Sequence, residues 1–183
     1  MLIEQILKEW SSALRFFEHK KVGLIFRKGG IHEKEFEETS SYFGIFKTFE
    51  HESKETVKSE YRKYLQNGTV EYTGDFNLEY IARIKLSFKI DSIDKLEPLD
   101  PYHHWEKSYL VERFNFRPKK PLVCYLIELQ KIKFPKKVFY DAEEAKGCIS
   151  WFKLNQPVEI NNTIELNDSF QEDKLLAIIN QLI

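Results

Sequence analysis

Three short stretches gather residue types able to do chemistry. Arg27-Lys28-Gly29-Gly30 sets two cations beside two glycines. Glycine permits unusual backbone angles and close approach, and exposed N–H groups can hold an anion, so this stretch is a candidate phosphate contact. Its spacing is neither that of a Walker loop nor that of a dinucleotide fingerprint. Thr48-Phe49-Glu50-His51-Glu52, taken with His32-Glu33, offers two histidines and three carboxylates. Such a set could bind a metal or move protons, with Glu33, Glu50 and His51 as the working members of a metal-dependent nuclease or other hydrolase. The His-x-x-x-His spacing of a helical zinc site is absent, as is the Pro-Asp…Glu-x-Lys pattern of the common nuclease core. His103-His104-Trp105, followed by Arg113, places aromatic faces beside a cation, and Trp151 adds a third tryptophan to Trp10 and Trp105. Aromatic faces stack on unpaired bases for roughly 1–3 kcal/mol each. The same stretches also read plainly as a hairpin turn, a polar loop and core tryptophans.

Charge is distributed unevenly. Between residues 107 and 137 nine cations, Arg113, Lys119 and Lys120 among them, face only Glu112 and Glu128, a local charge of +7 in a chain whose net charge is −1. Residues 141–183 carry eight carboxylates against three lysines, a local −5. A basic patch can therefore sit on a nearly neutral molecule, although lysines along a solvated strand edge give the same count.

These residues need elements to hold them. Ile3, Ile6, Leu7, Trp10, Leu14 and Phe17 recur at helical spacing and predict an amphipathic helix over 2–17. Residues 22–27 and 41–47 read as strands and 54–65 as a polar helix. The clearest strand is 80–90. Its even positions from Tyr80 to Ile90 are all apolar, while Arg83, Lys85, Ser87 and Lys89 face the other way, which predicts one buried and one wet, basic face. Residues 103–114 read as a short helix, 121–132 as a central apolar strand, and 149–154 as another strand. Asp141 is a candidate N-cap for a helical turn ending at Gly147. Ser169 to Glu172 reads as a capping box opening a C-terminal helix, 170–183. Regular strand–helix alternation is missing, so a doubly wound parallel sheet is not expected. The reading is a single α+β domain over residues 1–183, a curved mixed or antiparallel sheet or small β-barrel with flanking helices.

Length and composition set the bounds. The 183 residues suit one domain, 42% are apolar and 15% aromatic, and only seven Gly and six Pro argue against low complexity. Cys124 and Cys148 sit among apolar neighbours and read as reduced, packed thiols rather than ligands. No signal peptide and no run of 18 apolar residues is visible, so no membrane association and a cytoplasmic location are expected. No cofactor motif is present.

Several of these stretches together resemble one bacterial family, the domain of unknown function numbered 1802. The N-terminal match runs through Leu7-Lys8-Glu9-Trp10, Leu24 to Glu33, Phe36 and Phe43 to His51, reaching Tyr61. The C-terminal match comprises Leu99 to Trp105, Glu112-Arg113-Phe114 and Pro118 to Leu122. The resemblance covers most of residues 7–154. Lys47 stands where the family would have Pro, and Glu128 where it tends to have Arg. The resemblance implies a restriction or defence setting, a DNA partner and a companion restriction endonuclease of the Mrr type. At the level of fold, the opening helix, the Glu18-His19-Lys20-Lys21 turn and the Arg-bearing strand are similar to ASCH and related PUA-like domains. Some of these flip a modified base into an aromatic pocket. The expected function is therefore a nucleic-acid-binding module, a reader of plain or modified DNA. Its expected contacts are Arg27, Lys28, Gly29, Gly30, Thr48, His51, His104, Trp105, Arg113, Lys119, Lys120 and Trp151. The competing readings are the hydrolase above and a protein-interaction subunit with no chemistry of its own.

Overall fold

The computed structural model describes residues 1–28, 42–147 and 149–183. Gly29, Gly30, His32, Glu33 and Cys148 lie outside the described residues. Residues 2–17 are not one helix: strand β1 (Leu2–Trp10) runs directly into helix α1 (Ser11–Lys20). The helical spacing of its first half has a different origin. The pairing of β1 is irregular between Ile3 and Gln5, and this leaves Ile3 and Ile6 in one apolar cluster and Leu7 in another. A central strand buried on both sides with such a break mimics the three-and-four spacing of a helix.

The other strands are β2 (Leu24–Lys28), β3 (Phe43–Thr48), β4 (Asp75–Ile90), β5 (Leu122–Phe139), β6 (Trp151–Glu159) and β7 (Thr163–Glu165). They form one mixed sheet in the order β2-β5-β4-β3-β1-β6, with β7 added to β5, and the β1–β3 pair is parallel. The sheet curls strongly into a half-barrel. At one end β6 comes back to the chain just beyond β5, where Leu154 bridges Tyr140. Helices α2 (Lys107–Asn115), α3 (Ala142–Ala145) and α4 (Ser169–Leu182) complete the α+β fold. The expected polar helix at 54–65 is instead a 3₁₀ stretch, Ser59–Tyr64. Residues 103–106 are not helical; Trp105 bridges Val57, and α2 starts only at Lys107.

The long strand β4 holds the second correction. Its apolar even positions do not share one face. A bulge between Ile84 and Leu86 inserts Lys85, so Ile84 pairs with Ile127 and Leu86 with Leu126. One extra residue turns the following side chains to the opposite side. Tyr80, Ala82 and Ile84 join Val123, Tyr125, Ile127 and Leu129 beneath α1. Phe88 and Ile90 join Leu122, Cys124 and Leu126 beneath Leu175 and Ile179 of α4. The sheet is thus covered on both faces, and the basic wet face is largely neutralised. Arg83 binds Glu128 at 2.6 and 3.0 Å, and the bulged Lys85 binds Glu172.

Burial makes Cys124 a packing residue and pushes its thiol well above the usual range. Helix α3 is capped as expected, Asp141 accepting from the N–H groups of Glu143 and Glu144. The cap of α4 lies one residue earlier than expected, with Asp168 accepting from Gln171 N–H. That leaves Glu172 free of the capping box and able to reach Lys85 and Asn167.

Helix α1 ends at Lys21, which is left-handed (φ 59°), and the chain returns under Phe17 through Gly23. A Cβ on Gly23 would lie 2.4 Å from the Phe17 ring. Gly23→Ala should therefore lower stability by about 1–3 kcal/mol, read from the urea midpoint. An unchanged midpoint would show that the ring has room to move.

Candidate functional site

The C-terminal ends of β1, β2 and β3 meet the first turns of α2 and Gly147, Ile149 and Ser150 around a cleft of about 480 Å³. One wall is aromatic. Trp10 and Trp105 meet edge to face with centroids 4.3 Å apart, and Tyr109 of α2 lies 5.2 Å from Trp105 and 5.7 Å from Trp10. Arg113 is four residues, about one turn, beyond Tyr109, so the helix presents both to the cleft.

The opposite side is polar and fixed by the passage from β1 into α1. Trp10 occupies the N-cap position with extended geometry, and its own N–H donates to Glu9 Oε1 at 2.8 Å. The next free donors, Ser12 N–H and Ser12 Oγ–H, both reach Glu52 Oε1 at 2.9 Å. A helix N-terminus favours such carboxylates. Burial nevertheless raises the pKa of Glu52; the Ser12 bonds oppose the shift and the charge on Glu9 adds to it. Glu52 is held there by the turn at the end of β3. In that turn Thr48 Oγ1 accepts from Glu50 N–H, Glu52 N–H donates to Phe49 carbonyl, and His51 is left-handed (φ 66°). The turn leaves Thr48, Glu50 and His51 along the cleft, with Glu50 accepting from Tyr72 hydroxyl at 2.9 Å.

Arg27 closes the arrangement. Its Nη2 donates to Glu9 Oε2 at 2.8 Å and to Lys8 carbonyl at 2.9 Å. Lys8, itself buried, donates to the carbonyls of Ala145 and Gly147 and anchors the end of α3 to β1. Lys28 donates to Phe114 carbonyl, and burial, then the neighbouring charge of Arg113, lowers its pKa. His104 is almost fully buried, its ring centroid 4.0 Å from that of Trp105, and burial followed by the Lys58 charge pushes its pKa down to about 3. The same causes, in the same order, take His103 well below its ordinary value.

Of the expected contacts, Arg27, Thr48, His51, Trp105 and Arg113 line this one cleft. Gly29 and Gly30 lie outside the described residues. Trp151 is not at the cleft; it packs in the core against Phe43, centroids 5.0 Å apart. His104 lies behind Trp105 as a neutral core residue. Lys119 and Lys120 are exposed in the turn between α2 and β5, outside the cleft lining. The +7 stretch is divided. Lys131 and Lys137, far along β5, pair with Glu18 and Asp75, about 30–50 Å of strand contour away from Leu122. Sequence reasoning missed Lys8, Glu9, Trp10 and Tyr109. The signal that could have found Trp10 was the third tryptophan itself, placed instead on the apolar face of the expected helix. Among the described residues no three or more His, Cys, Asp or Glu side chains gather to hold a metal, and Glu33 is outside them. No helix among the described residues is long and apolar enough to cross a membrane.

The family model described as Domain of unknown function (DUF1802) matches residues 6–174. The chain belongs to that family. No curated protein and no solved structure matches the chain. DUF1802 membership thus agrees with the resemblance carried by residues 7–154 and brings no activity with it.

Two outcomes test this construction. The Arg27–Glu9 pair is nearly desolvated, with Glu9 1% and Arg27 18% exposed. Breaking such a pair leaves a buried charge uncompensated, so Arg27→Ala should cost about 3 kcal/mol or more. In a double-mutant cycle with Glu9→Ala the second change should cost far less than the first, and additive losses would contradict the coupling. The buried histidines set the acid limb. The unfolded chain protonates them near pH 6.5, whereas folded His104 stays neutral down to about 3. The unfolded state therefore binds more protons in that window, and stability is complete above pH ~6.5 and falls as pH drops from there. Denaturant unfolding at pH 7, 6 and 5 should show a steady decline; a plateau extending down to pH 4.5 would contradict it.

Proposed function

We propose that this protein is a nucleic-acid-binding module, a reader of DNA whose cleft accepts an unstacked base, plain or modified. One observation carries the reading: an aromatic wall and two arginines from distant parts of the chain border a single concavity of about 480 Å³. That size suits a small planar ligand, since ligand pockets run from roughly 300 to 1,000 Å³. Trp10 and Tyr109 keep part of their surface open to the cleft, whereas Trp105 backs them. Under this reading Trp10 and Tyr109 stack on the base, and Arg113, with Lys28, Lys119 and Lys120 beyond it, meets phosphates. Arg27 acts differently from the phosphate contact first expected: its guanidinium is engaged by Glu9, so it positions the wall rather than binding the backbone. The curled half-barrel is compatible with a PUA- or ASCH-like reader. A restriction or defence setting, with an endonuclease as partner, belongs to the same proposal.

The test is fluorescence anisotropy on duplexes with and without a modified base, across a salt series. Each phosphate contact contributes roughly 0.9 to the slope of log K against log salt. Arg113→Ala should lower that slope by up to about 1, and Lys119→Ala with Lys120→Ala by up to about 2, on all sequences alike. Tyr109→Ala should remove any preference for a modified base and keep the slope. If the protein binds neither plain nor modified DNA at low salt, the reading fails and the interaction-subunit alternative takes its place.

A further inference from the structure

Far from the α2 end of β5, the pairing with β4 breaks between Leu78 and Tyr80. Leu78 faces Lys136 and Tyr80 faces Lys131, so four residues of β5 stand opposite Glu79 alone. This wide bulge pushes the chain outward. Residues 133–137, Lys-Phe-Pro-Lys-Lys, are all exposed although they belong to a strand. Phe134 is 78% exposed and Phe139, five residues on, 56%. An exposed phenylalanine gains nothing from the fold, and each of these two offers an open flat face to a partner.

The surroundings narrow the chemistry. Lys133 and Lys136 flank Phe134, and the Nζ of Lys137 lies 5.7 Å from the centre of the Phe139 ring. Asp75 offsets Lys137 at 3.2 Å, and Lys136 donates to Glu159 carbonyl. Next to these, Lys137, Val138 and Phe139 line a groove of about 390 Å³ with Asn155, Gln156, Pro157 and Val158 of β6. Cations for a backbone, open aromatic faces for stacking and side-chain amides for base edges are the parts of a single-stranded nucleic-acid path. The lysine and the two amides in this lining favour a nucleotide chain over lipid.

We propose that this end of β5, with the neighbouring part of β6, is a second nucleic-acid contact that takes a single strand, with Phe134 and Phe139 as stacking platforms. It goes beyond the cleft reading and uses none of the cleft residues.

The experiment measures anisotropy of a fluorescent single-stranded DNA oligonucleotide and of a duplex against the full chain, with sedimentation on phosphatidylserine vesicles in parallel. Phe134→Ala and Phe139→Ala are surface changes, and circular dichroism verifies that the fold is retained. Each should weaken single-strand binding about five- to a hundredfold, the effect of losing one base stack, and spare any modified-base preference on duplex that Tyr109→Ala removes. Single-strand affinity unchanged in both phenylalanine variants overturns the proposal, whether or not the cleft variants affect duplex binding. Vesicle binding that depends on Phe134, with single-strand binding that does not, overturns it in favour of a lipid surface. Failure of the wild-type chain to bind any nucleic acid overturns both this contact and the cleft reading; single-strand binding that responds only to Arg113→Ala and Tyr109→Ala overturns this one alone.

Discussion

The contact between Arg27 and Glu9 joins strands that stand first and fifth in the sheet order. Four strand spacings in a flat sheet would hold them about 19 Å apart, beyond the reach of both side chains together. Their meeting at 2.8 Å is possible only because β5, β4 and β3 curl between them. The pair is therefore a chord across the half-barrel. Everything at the cleft hangs on this chord: Glu9 fixes Trp10 through its N–H, Trp10 begins α1 and forms the aromatic wall, and Arg27 also takes the carbonyl of Lys8. Burial makes the contact costly to break while leaving its net worth against an apolar pair open to either sign. Its value here is geometric.

A second constraint works on the same spot from the other side. The turn after β3 sends its side chains in different directions, Glu50 and His51 toward the cleft and Glu52 to the N–H and hydroxyl of Ser12 in the first turn of α1. The run that looked like a metal or proton-transfer motif is thus partly a helix cap. Trp105 and Trp151, both expected as nucleic-acid contacts, have likewise separated, Trp105 staying at the cleft and Trp151 joining the core.

Much of the architecture was legible in the residues. The α+β class, the central apolar β5, the Asp141 cap, the C-terminal helix and the curved mixed sheet all follow from patterns a few residues long. The failures share one physical cause. Hydrophobic period assumes uninterrupted pairing, and the irregularity near Gln5 made a central strand look helical, while the bulge at Lys85 hid a change of face inside an unbroken alternation. At the site, Arg27, Thr48, His51, Trp105 and Arg113 were legible by type. Glu9 and Trp10 were not, because their roles come from a contact between distant strands that no local spacing encodes. The wide bulge carrying Phe134 escaped for the same reason: the expected strand, 121–132, stopped short of it, whereas β5 runs on to Phe139.

Lys85 illustrates what such a bulge stores. Its ammonium reaches in from an exposed position to the buried carboxylate of Glu172. Its backbone, however, is the single unit that keeps Phe88 and Ile90 beneath α4 while Ile84 lies beneath α1. Removing the residue would leave Leu86, Phe88 and Ile90 opposite the same partners, whereas keeping it and drawing it into the ladder would rotate the whole downstream stretch through half a turn, sending lysine inward and phenylalanine to water. What is written at this position is a count rather than a letter. The extra residue is counted by the chain and skipped by the ladder, so one face of β4 passes to the other without a break in the strand.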